Sequence, residues 1–240
     1  MIKIKTLALI SALTLASTAW ANNEDENWFE ITSTKDFKWH GQKASGSLTA
    51  LDGKKDVAYR YILQETNNAS RKLTYSQAAV TLTSCKQGYG YVIYNNMQGE
   101  FTRRAQYVRF GTTVTDHLGT AACAGWDQTT GKVSRAMEDD EWFMAARAKD
   151  GGDEFWVNTR TIKKTKYKSK PAISALSAFH EKKTGKTMYG VYAILQSDCK
   201  RGFGTIHEQD FDGKLVGSSD VSLQGNSLIA ATANVICNGV

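Results

Sequence analysis

The chain repeats itself at an offset of 114 residues, and no other feature constrains its fold as strongly. "SCKQGYG" (84–90) returns as "DCKRGFG" (198–204). The same offset pairs Trp28-Phe29 with Trp142-Phe143, Lys35-Asp36 with Lys149-Asp150, Tyr75 with Tyr189, Ala79 with Ala193 and Gly99 with Gly213. Cys85 falls on Cys199 and Cys123 on Cys237, and the alignment is read without a gap. Two tryptophan–phenylalanine pairs and all four cysteines in register exclude coincidence. Two copies of about 100 residues make tandem domains, because solenoid units are shorter and need three or more to be stable.

Duplication also settles the cysteines. Four thiols allow three pairings. The single-unit ancestor had only one pair to join, which selects Cys85–Cys123 and Cys199–Cys237. Each bridge closes a 38-residue separation, worth about 4 kcal/mol by the chain-entropy model. No close Cys pair and no neighbouring histidine offers the ligand spacing of a metal site. No metal and no cofactor is expected.

The N-terminus carries its own signal. "MIKIKTLALISALTLASTAWA" has two lysines, an apolar stretch from Leu7 to Leu15 and small residues at Ala19 and Ala21, the plan of a secretory signal peptide. The apolar stretch is too short for a membrane span. Cleavage after Ala21 removes Lys3 and Lys5 and lowers the formal charge from +6 to +4. So mild an excess, on an exported chain, gives no case for nucleic acid. The organisation read from the sequence is a signal peptide (1–21), a flexible N-terminus "NNEDEN" (22–27), repeat domain 1 (28–125), a polar linker (126–140) and repeat domain 2 (141–240). The destination is the periplasm, the cell surface or the medium.

Within each copy, "TYSQAAVTLTSC" (74–85) and "MYGVYAILQSDC" (188–199) read as long strands running into their cysteines. Counting by twos from the cysteine places Tyr75, Ala79 and Cys85 on one face. A Cys-Lys-x-Gly turn then leads to the next strand, and Gly99 and Gly213 close the following hairpin. "NSLIAATANVIC" (226–237) reads as a capped helix; "TTVTDHLGTAAC" is a poorer one, with Gly119 inside. The fold class is α+β: two homologous domains, each an antiparallel meander with a C-terminal helix tied down by its disulfide.

Trp142, "FWVNTRTIKK" (155–164), "YGVYAILQSDCKR" (189–201) and "VIC" (235–237) together resemble the bacterial surface-adhesin E family, the protein E type. The likeness covers about 100 residues, essentially the second copy, with motifs of structural kind. It implies the fold and an envelope setting, and an adhesin-like role. The first copy has Gly41-Gln42 opposite the Phe155-Trp156 pair.

The four histidines (His40, His117, His180, His207) fall opposite Glu154, Ala231, Thr66 and Ile93, so none is shared, and none forms a metal or catalytic motif. "QDFDGK" (209–214) begins like a calcium loop but suits a tight turn, as does Asn96-Met97-Gln98-Gly99 in the first copy. What stands out is "RTIKKTKYKSK" (160–170). Lys164, Lys166, Lys168 and Lys170, with Lys163 beside them, would line one face of an extended strand at about 7 Å spacing. Such a stripe would grip a sulfated glycan, lipid phosphates or an acidic protein; lysines also protect sheet edges. Trp39, Trp126 and Trp156 have no counterparts and are free for an interface, where aromatic anchors dominate, although burial is the commoner fate of tryptophan; Trp156 is grouped with the lysines as a candidate binding residue. The expected function is non-enzymatic recognition of a protein or an anionic glycan or lipid surface. The alternatives are a periplasmic immunity or inhibitor protein and, third, a hydrolase with a scattered site. The oligomeric state is left open.

Overall fold

The computed structural model describes residues 27–51, 56–131, 141–149 and 151–239. The signal peptide, the acidic start and most of the linker (132–140) lie outside these residues. The first half runs β1 (Trp28–Ser33), β2 (Phe37–Gln42), β3 (Ser47–Ala50), β4 (Val57–Asn67), β5 (Leu73–Thr81), α1 (Leu82–Gln87), β6 (Tyr89–Asn95), β7 (Phe101–Val108) and α2 (Val114–Thr130). The second runs β8 (Trp142–Arg147), β9 (Glu154–Asn158), β10 (Lys163–Tyr167), β11 (Lys170–Glu181), β12 (Lys186–Leu195), α3 (Gln196–Arg201), β13 (Phe203–Gln209), β14 (Leu215–Ser222) and α4 (Leu228–Asn238).

Each half is a seven-stranded antiparallel sheet in the same order. In the first, β1-β2-β4-β5-β6-β7 form the path and β3 takes the remaining edge of β4; in the second, β8, β9, β11, β12, β13 and β14 repeat it, with β10 on β11. The disulfides are Cys85–Cys123 and Cys199–Cys237, as the duplication requires. They belong to a chain that resides in an oxidising compartment, extracellular or periplasmic. Among the described residues no helix is long and apolar enough to cross a membrane.

The inner face of each sheet packs against its long helix. Tyr61, Leu63, Ala78, Val80, Val92 and Tyr107 meet Leu118, Ala122 and Trp126 of α2. Ile173, Ala175, Tyr192, Ile194 and Ile206 meet Ala233 and Ile236 of α4. Trp126 is therefore core and not interface, and α2 carries the first half on to Thr130, past the linker boundary placed at 126. Its N-terminus is built by a capping box, with Thr113 and Asp116 each binding the other's backbone N–H.

The strand expected to reach Cys85 stops at Thr81. The Thr81 hydroxyl accepts from Ser84 N at 3.1 Å and starts one helical turn, which Gly88 ends at φ +84°. Cys85 sits on that turn. Counting by twos back from it fails in consequence: Ala78 and Val80 face the core, while Tyr75 and Ala79 line the opposite face. Leu195 and Gly202 bound the same turn in the second half.

The repeat is also not gapless. Trp28 pairs with Gln42 and Trp142 with Asn158, while Ser47 pairs with Arg60 and Lys163 with Ser174. The first pair of partners and the last keep the 114 offset, but the stretch between them shifts by two. The β8–β9 turn is longer by two residues, and the β10–β11 turn is shorter by two. Hence Trp39-His40, not Gly41-Gln42, correspond to Phe155-Trp156, and Leu51 corresponds to Tyr167.

The halves dock head to tail. Leu176, Trp142 and Tyr189, on the outer face of the second sheet, close over Val108 and Tyr89 of the first. Phe211, at the β13–β14 hairpin, lies against the rings of Tyr89 and Tyr91 at 5.0 and 5.8 Å. The fully buried Asp116 carboxylate accepts from Val108 N (2.7 Å), Thr113 N (2.8 Å) and the Tyr189 hydroxyl (2.9 Å). Burial and that carboxylate push the Tyr189 phenol well above its ordinary pKa, so it stays a donor.

Candidate functional site

The lysine run folds as a hairpin and not as one strand. Lys163–Tyr167 (β10) pairs with Lys170–Ser174 of β11, and Lys168 and Ser169 form the two-residue turn, both at positive φ (47° and 65°). This redistributes the charges. Lys164 and Lys166 share a face of β10, Lys168 occupies the tip, and Lys170 returns opposite Tyr167 on the other face, with Lys163. The single-faced stripe is thus a cluster wrapped around a hairpin tip. All five side chains are exposed, and among the described residues none has a carboxylate within 4 Å. β10 pairs with β11 alone, so the lysines also flank an open sheet edge.

Trp156 does not join them. It lies on β9, opposite Met144 and Ala178, and its indole N–H donates to Glu154 Oε2 at 3.1 Å. Glu154 is in turn held by Arg147 at 2.8 Å. Trp39 is tied down the same way, donating to Glu65 at 2.8 Å. Trp39 and Trp156 are each half-buried and bonded within their own sheet. "QDFDGK" is a turn: Asp210 Oδ1 accepts from Asp212 N and Lys214 N at 3.0 and 2.8 Å.

A second feature lies on the outer face of the first sheet, and sequence reasoning missed it. A cavity of about 570 Å³ opens there, within the size range of small-molecule sites. It is lined by Ile93, above the fully buried Ala79, with Phe101 and Asn95 toward the β6–β7 hairpin, and Arg60 and Arg104 supply its charge. Arg104 is neutralised by Asp212 of the second half at 2.6 Å, with its guanidinium stacked 4.1 Å from the Tyr91 ring. Among the described residues Arg60 meets only a neutral acceptor, Gln77 Oε1 at 3.2 Å. The Gln77 amide nitrogen donates to Met97 O at 3.3 Å, which fixes the oxygen toward Arg60.

The second half shows the same place filled. Ser174, Ala193, His207 and Ser218 stand where the first half has Arg60, Ala79, Ile93 and Arg104. Tyr167 stacks flat on His207, centroids 4.1 Å apart and planes 18° apart. His207 Nδ1 is bonded to Ser218 Oγ at 2.9 Å. Burial, then the nearby Lys168 ammonium, lowers the His207 pKa below its ordinary value. The signal that points to the cavity was present in the sequence, as two arginines facing two serines across the repeat. No run or motif marks them.

Comparison of the chain with models of known protein families, with characterised proteins and with solved structures finds no match.

Proposed function

We propose that this is an exported, non-enzymatic binding protein that holds an anionic partner at the cell envelope, in the adhesin-like manner implied by its resemblance to the surface-adhesin E proteins. The observation that supports the reading most is the hairpin tip with five exposed ammonium groups and no carboxylate partner among the described residues. Uncompensated like charges held on a stapled sheet repel one another, and a polyanion relieves that repulsion. A type I′ turn fixes the lysines at sheet spacing, about 7 Å between Lys164 and Lys166, so their spacing costs the complex little ordering entropy. The sulfate groups of a glycan or the phosphates of a lipid surface suit a cluster of compact ammonium charges.

The test replaces Lys164, Lys166, Lys168 and Lys170 together by glutamine. Binding of the mature protein to heparin, to phosphorylated lipid vesicles and to polyglutamate is then measured over a salt series. At about 1 kcal/mol per lysine at an anionic surface, affinity falls tenfold or more for at least one probe, and its salt dependence flattens. The thermal midpoint moves by no more than about 2 °C, since the positions are exposed. Undiminished affinity of the variant for all three probes sinks the reading.

A further inference from the structure

The two halves solve the same problem in different ways on their outer faces. Where β4, β5, β6 and β7 leave a hollow, the second half fills its equivalent from within: Tyr167 swings over His207 and seals it. The first half has Leu51 at the position of Tyr167 and Ile93 at that of His207, and among the described residues its hollow remains open. Opening a cavity in a sheet face forfeits packing, and placing two arginines around it adds repulsion between like charges. The second half folds without either feature, so neither is a requirement of the fold.

The polar groups are arranged as a receptor. Asp212 satisfies Arg104, and the stack on Tyr91 fixes that side chain as a wall. Arg60 keeps its charge uncompensated among the described residues, with one contact to a neutral amide and further N–H donors of its planar fork to spare. Beside it lies the half-buried side chain of Ile93, with Ala79 fully buried beneath. A guanidinium next to a small apolar floor selects a ligand that is anionic at one end and hydrophobic at the other.

We propose that the first half binds, in this cavity, a small molecule with one carboxylate or phosphate group on a compact apolar body, the anionic group bonded to Arg60. The site is separate from the lysine hairpin and does not depend on it.

The disulfide-intact mature protein is titrated with benzoate, phenyl phosphate, benzyl alcohol and benzylamine, following backbone amide resonances. At least one of the two anions shifts Ala79, Ile93 and Asn95 saturably, and the stronger of the two identifies carboxylate or phosphate as the group recognised. Arg60→Gln weakens that anion tenfold or more, the loss expected for a charge-assisted hydrogen bond. The double variant Leu51→Tyr/Ile93→His, which installs the second half's plug, abolishes the response while the thermal midpoint reports an intact fold. The four-lysine glutamine variant binds as the parent does. Failure of both anions to saturate at millimolar concentration overturns the proposal. So does benzyl alcohol or benzylamine binding as tightly as the anions, or undiminished affinity in Arg60→Gln. If the lysine variant loses the anion while Arg60→Gln keeps it, the hairpin is the site and the cavity is not.

Discussion

Leu176 and Ile62 occupy the same place in the two copies, on β11 and β4, but only Leu176 is sealed by the other half. It is 1% exposed beneath Val108, Tyr89 and Trp142, whereas Ile62 is half-buried on an uncovered face. Truncation to alanine should therefore cost very different amounts. Leu176→Ala removes a fully packed side chain and leaves a cavity, about 3 kcal/mol within the usual range of 2–5. Ile62→Ala gives up a partial burial worth about 1 kcal/mol. For a protein of this size, each kcal/mol moves the midpoint about 2–4 °C, so roughly 6–12 °C is expected for Leu176 and 2–4 °C for Ile62. Urea melts of the two variants measure both. The same Leu176→Ala change in residues 141–240 alone should cost about 1 kcal/mol, as at Ile62, because only Trp142 and Tyr189 of its own sheet then flank the residue. Equal losses for the two positions in the full chain, or an equal Leu176 loss with and without the first half, would refute a packed interface between the copies.

Three further outcomes can be measured. A Cβ at Gly119 would lie 2.2 Å from the Tyr107 ring, so Gly119→Ala should destabilise by about 1–3 kcal/mol, although alanine is the better helix former by about 1 kcal/mol. The second half has Ala233 and Val221 at these two places, so Tyr107→Val/Gly119→Ala should lose less than the sum of the single changes in a double-mutant denaturation cycle. Because the folded pKa of His207 lies below its ordinary value, the unfolded chain takes up the proton first as pH falls. The stability it contributes is present above about pH 6.5 and lost on acidification through the folded value; chemical denaturation from pH 7 to pH 5 should show a steeper loss for the parent than for His207→Gln.

How much of this was legible depended on which physical signal each feature leaves. Cysteine pairing and the double sheet were readable because duplication marks every position that both copies need. The helical turn at Cys85 was not, because "TLTSC" alternates like a strand and only the Thr81 cap and Gly88, three residues past the cysteine, break it. The two-residue register shift was hidden because one turn gained what another lost, leaving all flanking landmarks at 114. Trp126 looked free for want of a counterpart, yet α2 runs six residues beyond the position matching the end of α4 and adds a further core contact. The lysine cluster was visible as composition, while its wrapping around a tip depended on Lys168 and Ser169 adopting positive φ, which neither residue type announces.

Duplication gives this chain an internal control that a single domain lacks. Features present in both copies (the disulfides, Trp28 and Trp142, the turn glycines Gly88 and Gly202) are those that any fold of this plan requires. Features present in one copy have been shown dispensable by the other. Lys163, Lys164 and Lys166 face Ser47, Leu48 and Ala50 across the corrected register, and Arg60 and Arg104 face Ser174 and Ser218. Both differences add positive charge, both lie on surfaces outside the helix-packed cores, and they fall in opposite halves. Folding stability accounts for neither, since like charges on one surface repel. The two proposed anionic ligands would account for both, and they differ because an exposed hairpin tip and an open cavity beside Ile93 suit different ligands.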